Sequence, residues 1–313
     1  MIKSRTVAVF GAGPIGISFA IRFALHGWEV KLHDIDAERL LSAPAEAASA
    51  AASLEIAHLW TGDIATLVSR ICLEPDRDRA ISGCELLLEC ASERLEVKQE
   101  LFNWADRAAS PHTLLCSASS ALAASKFADH LPGRGRCLVA HPVNPPHLIP
   151  LIEIVPAPFT TPAAVARAQA LFEGVGMQPV LVRREVTGFV FNRLQGAMLR
   201  EAYCLVRDGV VDATEIDLLV RDGLGLRWSI AGPFETAELN TRGGLQEHAL
   251  RMGPAYLTMG HERGQDDPWT PELVAKVIHQ RGGPISEEAR KERSSWRERE
   301  VARLVHLRSE PSA

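Results

Sequence analysis

No apolar run in these 313 residues approaches the roughly 18–20 residues that a transmembrane helix needs. A basic surplus is missing as well. Lys and Arg number 34 against 39 Asp and Glu, a formal net charge of −5, which speaks against a general nucleic-acid or membrane surface. The six cysteines, Cys72, Cys84, Cys90, Cys116, Cys137 and Cys204, form no CxxC pair and no Cys/His cluster at zinc spacing. Neither a disulfide framework nor a metal site is therefore expected, and the thiols read as reduced core residues of a cytoplasmic protein. No export signal is expected, because a strand pattern already begins at Thr6. Internal repeats, low-complexity tails and long linkers are absent too. What remains is an ordinary globular composition, 46 % hydrophobic and 23 % charged, rich enough to close a sizeable core. The length, about twice that of a typical domain, predicts two domains.

The chain opens as strand, glycine turn, helix, strand. TVAVF (6–10) suits a buried strand, GAGPIG (11–16) follows at once, and Ile15, Phe19, Phe23 and Ala24 recur at helical spacing up to Gly27. EVKLHD (29–34) alternates and ends on an acid, and a helix rich in alanine follows, with seven Ala in 43–52. ELLLECA (85–91), TLLCSA (113–118), CLVAHP (137–142), LIEIVP (151–156) and PVLVR (179–183) read as further buried strands. Helical patterns lie around 93–109 and 162–175. This alternation predicts an α/β fold with a mostly parallel sheet covered on both faces. Near residue 187 the character changes: every later long segment has helical period, with glycine turns expected at 223–225, 232–233, 243–244 and 282–284. We expect a Rossmann-type domain over 1–185 and an all-α domain over 186–313. The last helix, 286–308, is expected to bury one stripe through Trp296, Val301 and Leu304.

A lone GxGxxG says little, but this one follows a strand, opens a helix, and has Asp34 closing the next strand 18 residues past Gly16. Gly11 permits the tight turn, Gly13 lets the backbone approach a pyrophosphate, and Gly16 lets the helix pack against the strand. The helix N-terminus supplies free N–H groups and a positive dipole end. Asp34 is expected to accept from the adenosine ribose hydroxyls and to repel a 2′-phosphate, favouring NAD over NADP. Arg39 nearby is the feature that could serve a 2′-phosphate instead. A domain of this type that binds FAD, or has lost its nucleotide, is the bland alternative.

Ser119 and Ser120 follow strand TLLCSA, His141 follows CLVA, and Glu153 lies within LIEIV. In a parallel sheet the C-terminal strand ends open onto the dinucleotide crevice. Glu153 is flanked by Ile152 and Ile154, where an unpaired carboxylate is costly. A histidine partner explains it and also supplies a base.

With these residues in view, the sequence resembles the 3-hydroxyacyl-CoA dehydrogenase superfamily over nearly its whole length. ECASERLEVKQELF (89–102), SASS (117–120), HPVNPPHLIPLIEIVP (141–156) and TGFVFNR (187–193) carry the resemblance. HPVNPP, DGLGLRW (222–228) and GPFETAELN (232–240) look like its lambda-crystallin branch, whose enzymatic member is L-gulonate 3-dehydrogenase. The resemblance implies that His141 is the general base, that Glu153 orients it, and that Ser119 and Asn192 bond the reacting oxygen. It implies that Ile15 and Gly16 contact the pyrophosphate, that Glu93 and Lys98 contact the cofactor, and that Asn144 borders the nicotinamide. It also implies a homodimer formed through the helical domain.

The sequence departs from the acyl-CoA enzymes between the second and third strands. Their lysine-rich segment is replaced here by residues 35–69, which hold Arg39 and no lysine. That depletion argues against the CoA phosphates. A small free acid instead needs a guanidinium for its carboxylate, and Arg227 and Arg193 are the candidates, each with a structural role as its alternative. The expected activity is NAD-dependent oxidation of a small hydroxy acid, L-gulonate first. A 3-hydroxyacyl-CoA is the alternative, with carnitine and a non-catalytic crystallin-like role behind it.

Overall fold

The structure, a computed structural model, describes residues 5–263, 270–280, 282–283 and 286–309. Eight strands among them make one sheet: β1 (Thr6–Phe10), β2 (Glu29–His33), β3 (Ile71–Leu73), β4 (Leu86–Glu89), β5 (Leu114–Ser117), β6 (Cys137–Pro142), β7 (Leu151–Pro156) and β8 (Gln178–Leu181). They run in the order β3-β2-β1-β4-β5-β6-β7-β8, so that β1 and β4 flank the point where the winding reverses. Helix α1 (Pro14–Leu25) joins β1 to β2, and α2 (Ala37–Ile56) and α3 (Ile64–Val68) lead into β3. Four more complete the connections: α4 (Arg77–Ile81), α5 (Leu95–Ala108), α6 (Ala124–Ala128) and α7 (Pro162–Glu173).

All neighbouring strands pair in parallel except β6 and β7, which are antiparallel. The mostly parallel expectation therefore holds, with one reversal that matters for the site. Only residues 143–150 join β6 to β7, whereas a parallel return needs roughly a dozen residues or more. The sheet is covered on both faces. Phe19, Phe23, Leu54, Leu86 and Phe172 lie in the core on one side, and Ala8, Leu87, Phe102, Leu115 and Phe127 on the other. Helix α2 buries Leu40, Ala43, Ala47, Ala51 and Leu54 at three- and four-residue intervals, and its small alanines let it lie close to α1. Strand β3 and the short α3 and α4 have too little periodicity to be read from sequence.

The chain forms two compact units. One runs to Arg193 and takes in the segment from Lys291; the other spans Leu194–Arg290. Helix α8 (Phe191–Arg207) enters the second unit, which continues through α9 (Ala213–Leu218), α10 (Gly225–Trp228), α11 (Pro233–Asn240), α12 (Gly244–His261) and α13 (Pro271–Gln280). The turn expected at 223–225 is not a break. Residues Leu219–Leu224 form a wide helical turn running straight into α10, and a Cβ on Gly225 would stand 2.8 Å from the Val220 carbonyl oxygen. Glycine there relieves crowding in the helix. Gly243 and Gly244 do turn the chain, both with positive φ, and position 284 of the last expected turn lies outside the described residues. In α14 (Glu287–Ser309) the expected stripe holds at Val301 alone. Trp296 and Leu304 are 41 % and 56 % exposed, while Ala302 is fully buried. Val301, Ala302 and Val305 pack into the core of the first unit. Leucine and tryptophan signal burial by size, but the face that docks is the one small enough to approach the α/β layer.

Candidate active site

The glycine turn carries the constraints expected of it. Gly11 has φ +111°, and a Cβ there would sit 2.5 Å from the Cys90 carbonyl oxygen; one on Gly16 would sit 1.8 Å from that of Gly11. Gly13 differs: a Cβ on it would meet nothing within 4 Å, so the space beside it is open to a ligand. No side chain caps α1, which begins with Pro14, and the Ile15 and Gly16 amides stay available at its positive end. Asp34 accepts from the Ala12 amide at 2.6 Å and from the Asp36 amide at 2.9 Å, which ties this acid to the turn. A cavity of about 650 Å³ opens here, lined by Gly11, Gly13, Asp34, Arg39, Arg77 and Trp104 among others. An open glycine cradle, an uncapped helix end and a fixed acid fit a dinucleotide with a free ribose. Arg39 lines the same cavity, as its sequence position suggests.

The antiparallel β6–β7 register sets His141 directly opposite Glu153. Both are buried, and His141 Nδ1 lies 2.7 Å from Glu153 Oε2. The other carboxylate oxygen accepts from the Val190 and Phe191 amides at 2.8 and 3.0 Å. Burial pushes the Glu153 carboxyl up, but the His141 bond and the two amides bring it below the usual range. A carboxylate only accepts, so Nδ1 carries the proton and Nε2 is left as the basic nitrogen. The rings of Phe189 and Phe191 stand 5.5 and 6.4 Å from the imidazole and fix its apolar surroundings.

Glu93 gathers the loop after β5. Its Oε1 accepts from Ser119 Oγ at 2.5 Å and from the amides of Ser120, Ala121 and Leu122. Burial raises this carboxyl, but the Ser119 hydroxyl, the Lys98 charge and the Ala121 amide together lower it overall. The one hydroxyl proton of Ser119 is thus directed at Glu93. Lys98 is 1 % exposed, with Nζ 2.9 Å from Glu89 and 3.2 Å from Glu93. Its charge is spent on these two carboxylates. Asn192 Nδ2 donates to the Ser120 carbonyl at 3.0 Å. The structure therefore links Ser119, Glu93, Asn192, Glu153 and His141 within one unit. Asn144 is exposed on the β6–β7 connection, and Arg193 is exposed beside Asn192. Arg227 belongs to the second unit, where it lines a separate cavity of about 540 Å³ with Trp228, Phe234, His248 and Tyr256.

Two participants escape the sequence reading. Glu89 is fully buried and accepts from Lys98, the Ser117 hydroxyl and the Ala91 amide; an acid inside the apolar run ELLLECA is the signal that could have found it. Phe189 is buried with φ +50°, a conformation costing about 1–3 kcal/mol outside glycine. It precedes the two amides that hold Glu153, and no local pattern announces it.

Comparison with known proteins agrees with this architecture. The model of the 3-hydroxyacyl-CoA dehydrogenase NAD binding domain matches residues 6–186, and that of the C-terminal domain of 3-hydroxyacyl-CoA dehydrogenase matches 188–282. A lambda-crystallin homolog of Bos taurus is 38 % identical over 306 residues, covering 96 % of this chain and 95 % of its own. A 3-hydroxyacyl-CoA dehydrogenase of Gibberella moniliformis is 38 % identical over 260 residues, 80 % of this chain and 78 % of its own. Among solved structures, 5-formyl-3-hydroxy-2-methylpyridine 4-carboxylic acid 5-dehydrogenase, an NAD+ dependent dismutase, aligns with TM-score 0.84 and 25 % identity over 97 % of this chain and 98 % of its own.

Proposed function

The chain belongs to the 3-hydroxyacyl-CoA dehydrogenase family, and from that premise we propose that it oxidises the 3-hydroxyl of a small free hydroxy acid, L-gulonate to 3-dehydro-L-gulonate. It is an NAD-dependent oxidoreductase acting on a CH–OH group. When bound, NAD accepts a hydride from the carbon that bears the hydroxyl.

The observation that carries the catalytic reading is the buried His141–Glu153 pair. His141 Nε2 takes the hydroxyl proton, and the Glu153 carboxylate at Nδ1 stabilises the imidazolium so formed. Two backbone amides keep that carboxylate in place, so little reorganisation accompanies proton transfer. Ser119 and Asn192 bond the substrate oxygen once their present partners are exchanged for it. The Ile15 and Gly16 amides serve the pyrophosphate, Asp34 the ribose, Glu93 the nicotinamide half with Lys98 behind it, and Asn144 the edge of the nicotinamide.

Three features support a free acid over a CoA ester. Residues 35–69 hold Arg39 and no lysine, a poor setting for the phosphates of CoA. The lambda-crystallin homolog covers almost the whole chain. The dismutase of similar fold acts, by its name, on a pyridine carboxylic acid. Arg227 and Arg193 are the guanidinium candidates for the carboxylate. A non-catalytic crystallin-like role is disfavoured because Ser119, His141, Glu153 and Asn192 are all present. A second copy of the chain is the proposed partner, since Ile230, Phe234, Leu239, Leu250 and Leu257 of the second unit stand exposed and apolar surface of that extent calls for a cover. Sedimentation at twice the 34.1 kDa chain mass is expected; a monomer at micromolar concentration removes that part. The six cysteines, none of them in a disulfide, suit a cytoplasmic setting.

Initial rates with NAD against L-gulonate, 3-hydroxybutyrate, carnitine and 3-hydroxybutyryl-CoA test the substrate. The free sugar acid should be turned over fastest, and a strong preference for the CoA ester overturns the reading.

A further inference from the structure

The segment 143–150, which joins the strands of His141 and Glu153, is fastened from below by side chains that do not touch the pair. His147 is buried, and its amide donates to Ser18 Oγ of α1 at 2.9 Å. Its ring spans two hydroxyls: Nδ1 lies 2.6 Å from Ser18 Oγ and Nε2 3.1 Å from Ser53 Oγ of α2. The bonding assigns the tautomer. The Ser53 hydroxyl proton goes to the Ala50 carbonyl at 2.7 Å, so Ser53 accepts from His147 Nε2–H. A neutral ring then has a bare Nδ1, which accepts the Ser18 hydroxyl proton. Burial and the nearby Arg22 charge hold this imidazole neutral, with its pKa lowered to about 4. One turn further along α1, Arg22 is buried and donates Nε–H to the Pro146 carbonyl at 3.0 Å, while its Nη2 is buried with no hydrogen-bond partner among the described residues.

A buried guanidinium with an orphaned nitrogen is a poor way to stabilise a core, and a fully saturated imidazole bridging two helices is an elaborate one. Both groups, however, bear on one short segment. Helix α1 begins at the glycine cradle, and the segment it grips continues directly from His141 and returns to Glu153. We propose that His147 and Arg22 are positioning residues that lock the connection between His141 and Glu153 to the cofactor helix α1, setting the base at a fixed place relative to the dinucleotide. The distance between proton acceptor and hydride acceptor then depends on two side chains that contact neither. This inference rests on the reading of His141 as the base.

The test uses the full chain with L-gulonate and NAD. His147→Phe puts a somewhat larger apolar ring in place of the imidazole and removes both ring bonds; kcat should fall at least tenfold while KM for NAD stays within twofold. The deuterium isotope effect with C3-deuterated L-gulonate should rise, because a misplaced base slows the chemical step and leaves product release alone. His147→Asn, whose carbonyl can still accept from Ser18, should recover more activity than His147→Gln, which reaches towards Ser53. Arg22→Met separates positioning from stability. It removes a poorly satisfied charge, so the thermal midpoint should not fall, yet kcat should drop several-fold. Wild-type kcat and isotope effect in His147→Phe and Arg22→Met, alongside an inactive His141→Ala, overturn the inference. If His147→Phe fails to fold, Ser18→Ala, which deletes a single hydroxyl, carries the same expectation. An active His141→Ala strikes instead at the identity of the base. If the unaltered chain does not turn over L-gulonate, the substrate reading fails and the series runs on the fastest compound of the panel.

Discussion

Glu153 and His141 meet at 2.7 Å because β7 runs back against β6 and places them in register, twelve residues apart in sequence. Directly opposed residues of an antiparallel pair share a face of the sheet, so the acid and the base arrive side by side on rigid strands. A parallel return would have required a crossover and another register. The reversal of one strand is therefore what sets a buried imidazole against a buried carboxylate on a dinucleotide-binding sheet.

Removing the base should separate chemistry from binding. His141→Ala is expected to lower kcat by about 10²–10⁴-fold, the usual worth of a positioned general base. NAD affinity, followed by fluorescence titration, should stay nearly unchanged. Loss of NAD binding with the activity would show that His141 supports the fold instead.

Glu153→Gln keeps the shape and removes the charge. The imidazolium formed on proton transfer then lacks its counter-charge, so kcat should fall and the acidic limb of the pH–rate profile should move to lower pH. A profile of unaltered shape would assign Glu153 to structure alone.

On the proposed reading, Asp34→Asn removes the charge that disfavours a 2′-phosphate and weakens the acceptor for the ribose hydroxyls. Hydrogen bonds to a charged group contribute about 1.5–3 kcal/mol, so the ratio of kcat/KM with NAD to that with NADP should narrow by at least tenfold. An unchanged ratio would take Asp34 off the ribose.

Lys98→Met leaves the Glu89 carboxylate, fully buried, without its cation. Breaking a buried pair by removing one partner costs about 3–5 kcal/mol, and urea unfolding should register a loss of that order. A midpoint within error of the unaltered chain would mean that the pair adds nothing to stability.

Acid should weaken the fold in two stages. His147 is held neutral to about pH 4, whereas the unfolded chain protonates it from about pH 6.5 downwards. The unfolded state therefore binds more protons between those values, and stability falls by about 3 kcal/mol as pH drops from 6.5 to 4. Glu153, whose carboxyl is lowered, adds stability above the ordinary carboxylate value that is lost as pH falls through its folded one. Urea midpoints at pH 7, 5.5 and 4.5 should decline steadily, and His147→Phe should flatten the first part. A flat unaltered chain over that range would show that His147 protonates as freely folded as unfolded.

Much of the site is readable where chemistry is local. The glycine turn, the uncapped helix start and Asp34 lie within 24 consecutive residues, 11–34, and each constraint acts between near neighbours. Glu153 is readable because a carboxylate between two isoleucines demands a partner. Glu89 follows the same rule, and the run of leucines around it hides the demand. The pairing of Lys98 with Glu89 and Glu93 needs a helix and a strand in contact. The bond from Ser18 to His147 spans 129 residues, and nothing in either neighbourhood anticipates it.

By itself the sequence determined the alternation of strands and helices, the dinucleotide turn and the residue types able to abstract a proton. These follow from side-chain period, backbone freedom and burial cost, all of which act over a few residues. Only the tertiary structure decided that β7 runs antiparallel, that Ala302 and Val305 join Val301 against the core in place of Trp296 and Leu304, and that α1 grips the segment between acid and base. Strand direction and helix docking are chosen by how whole faces pack, and that choice brings together residues whose local sequences carry no record of each other.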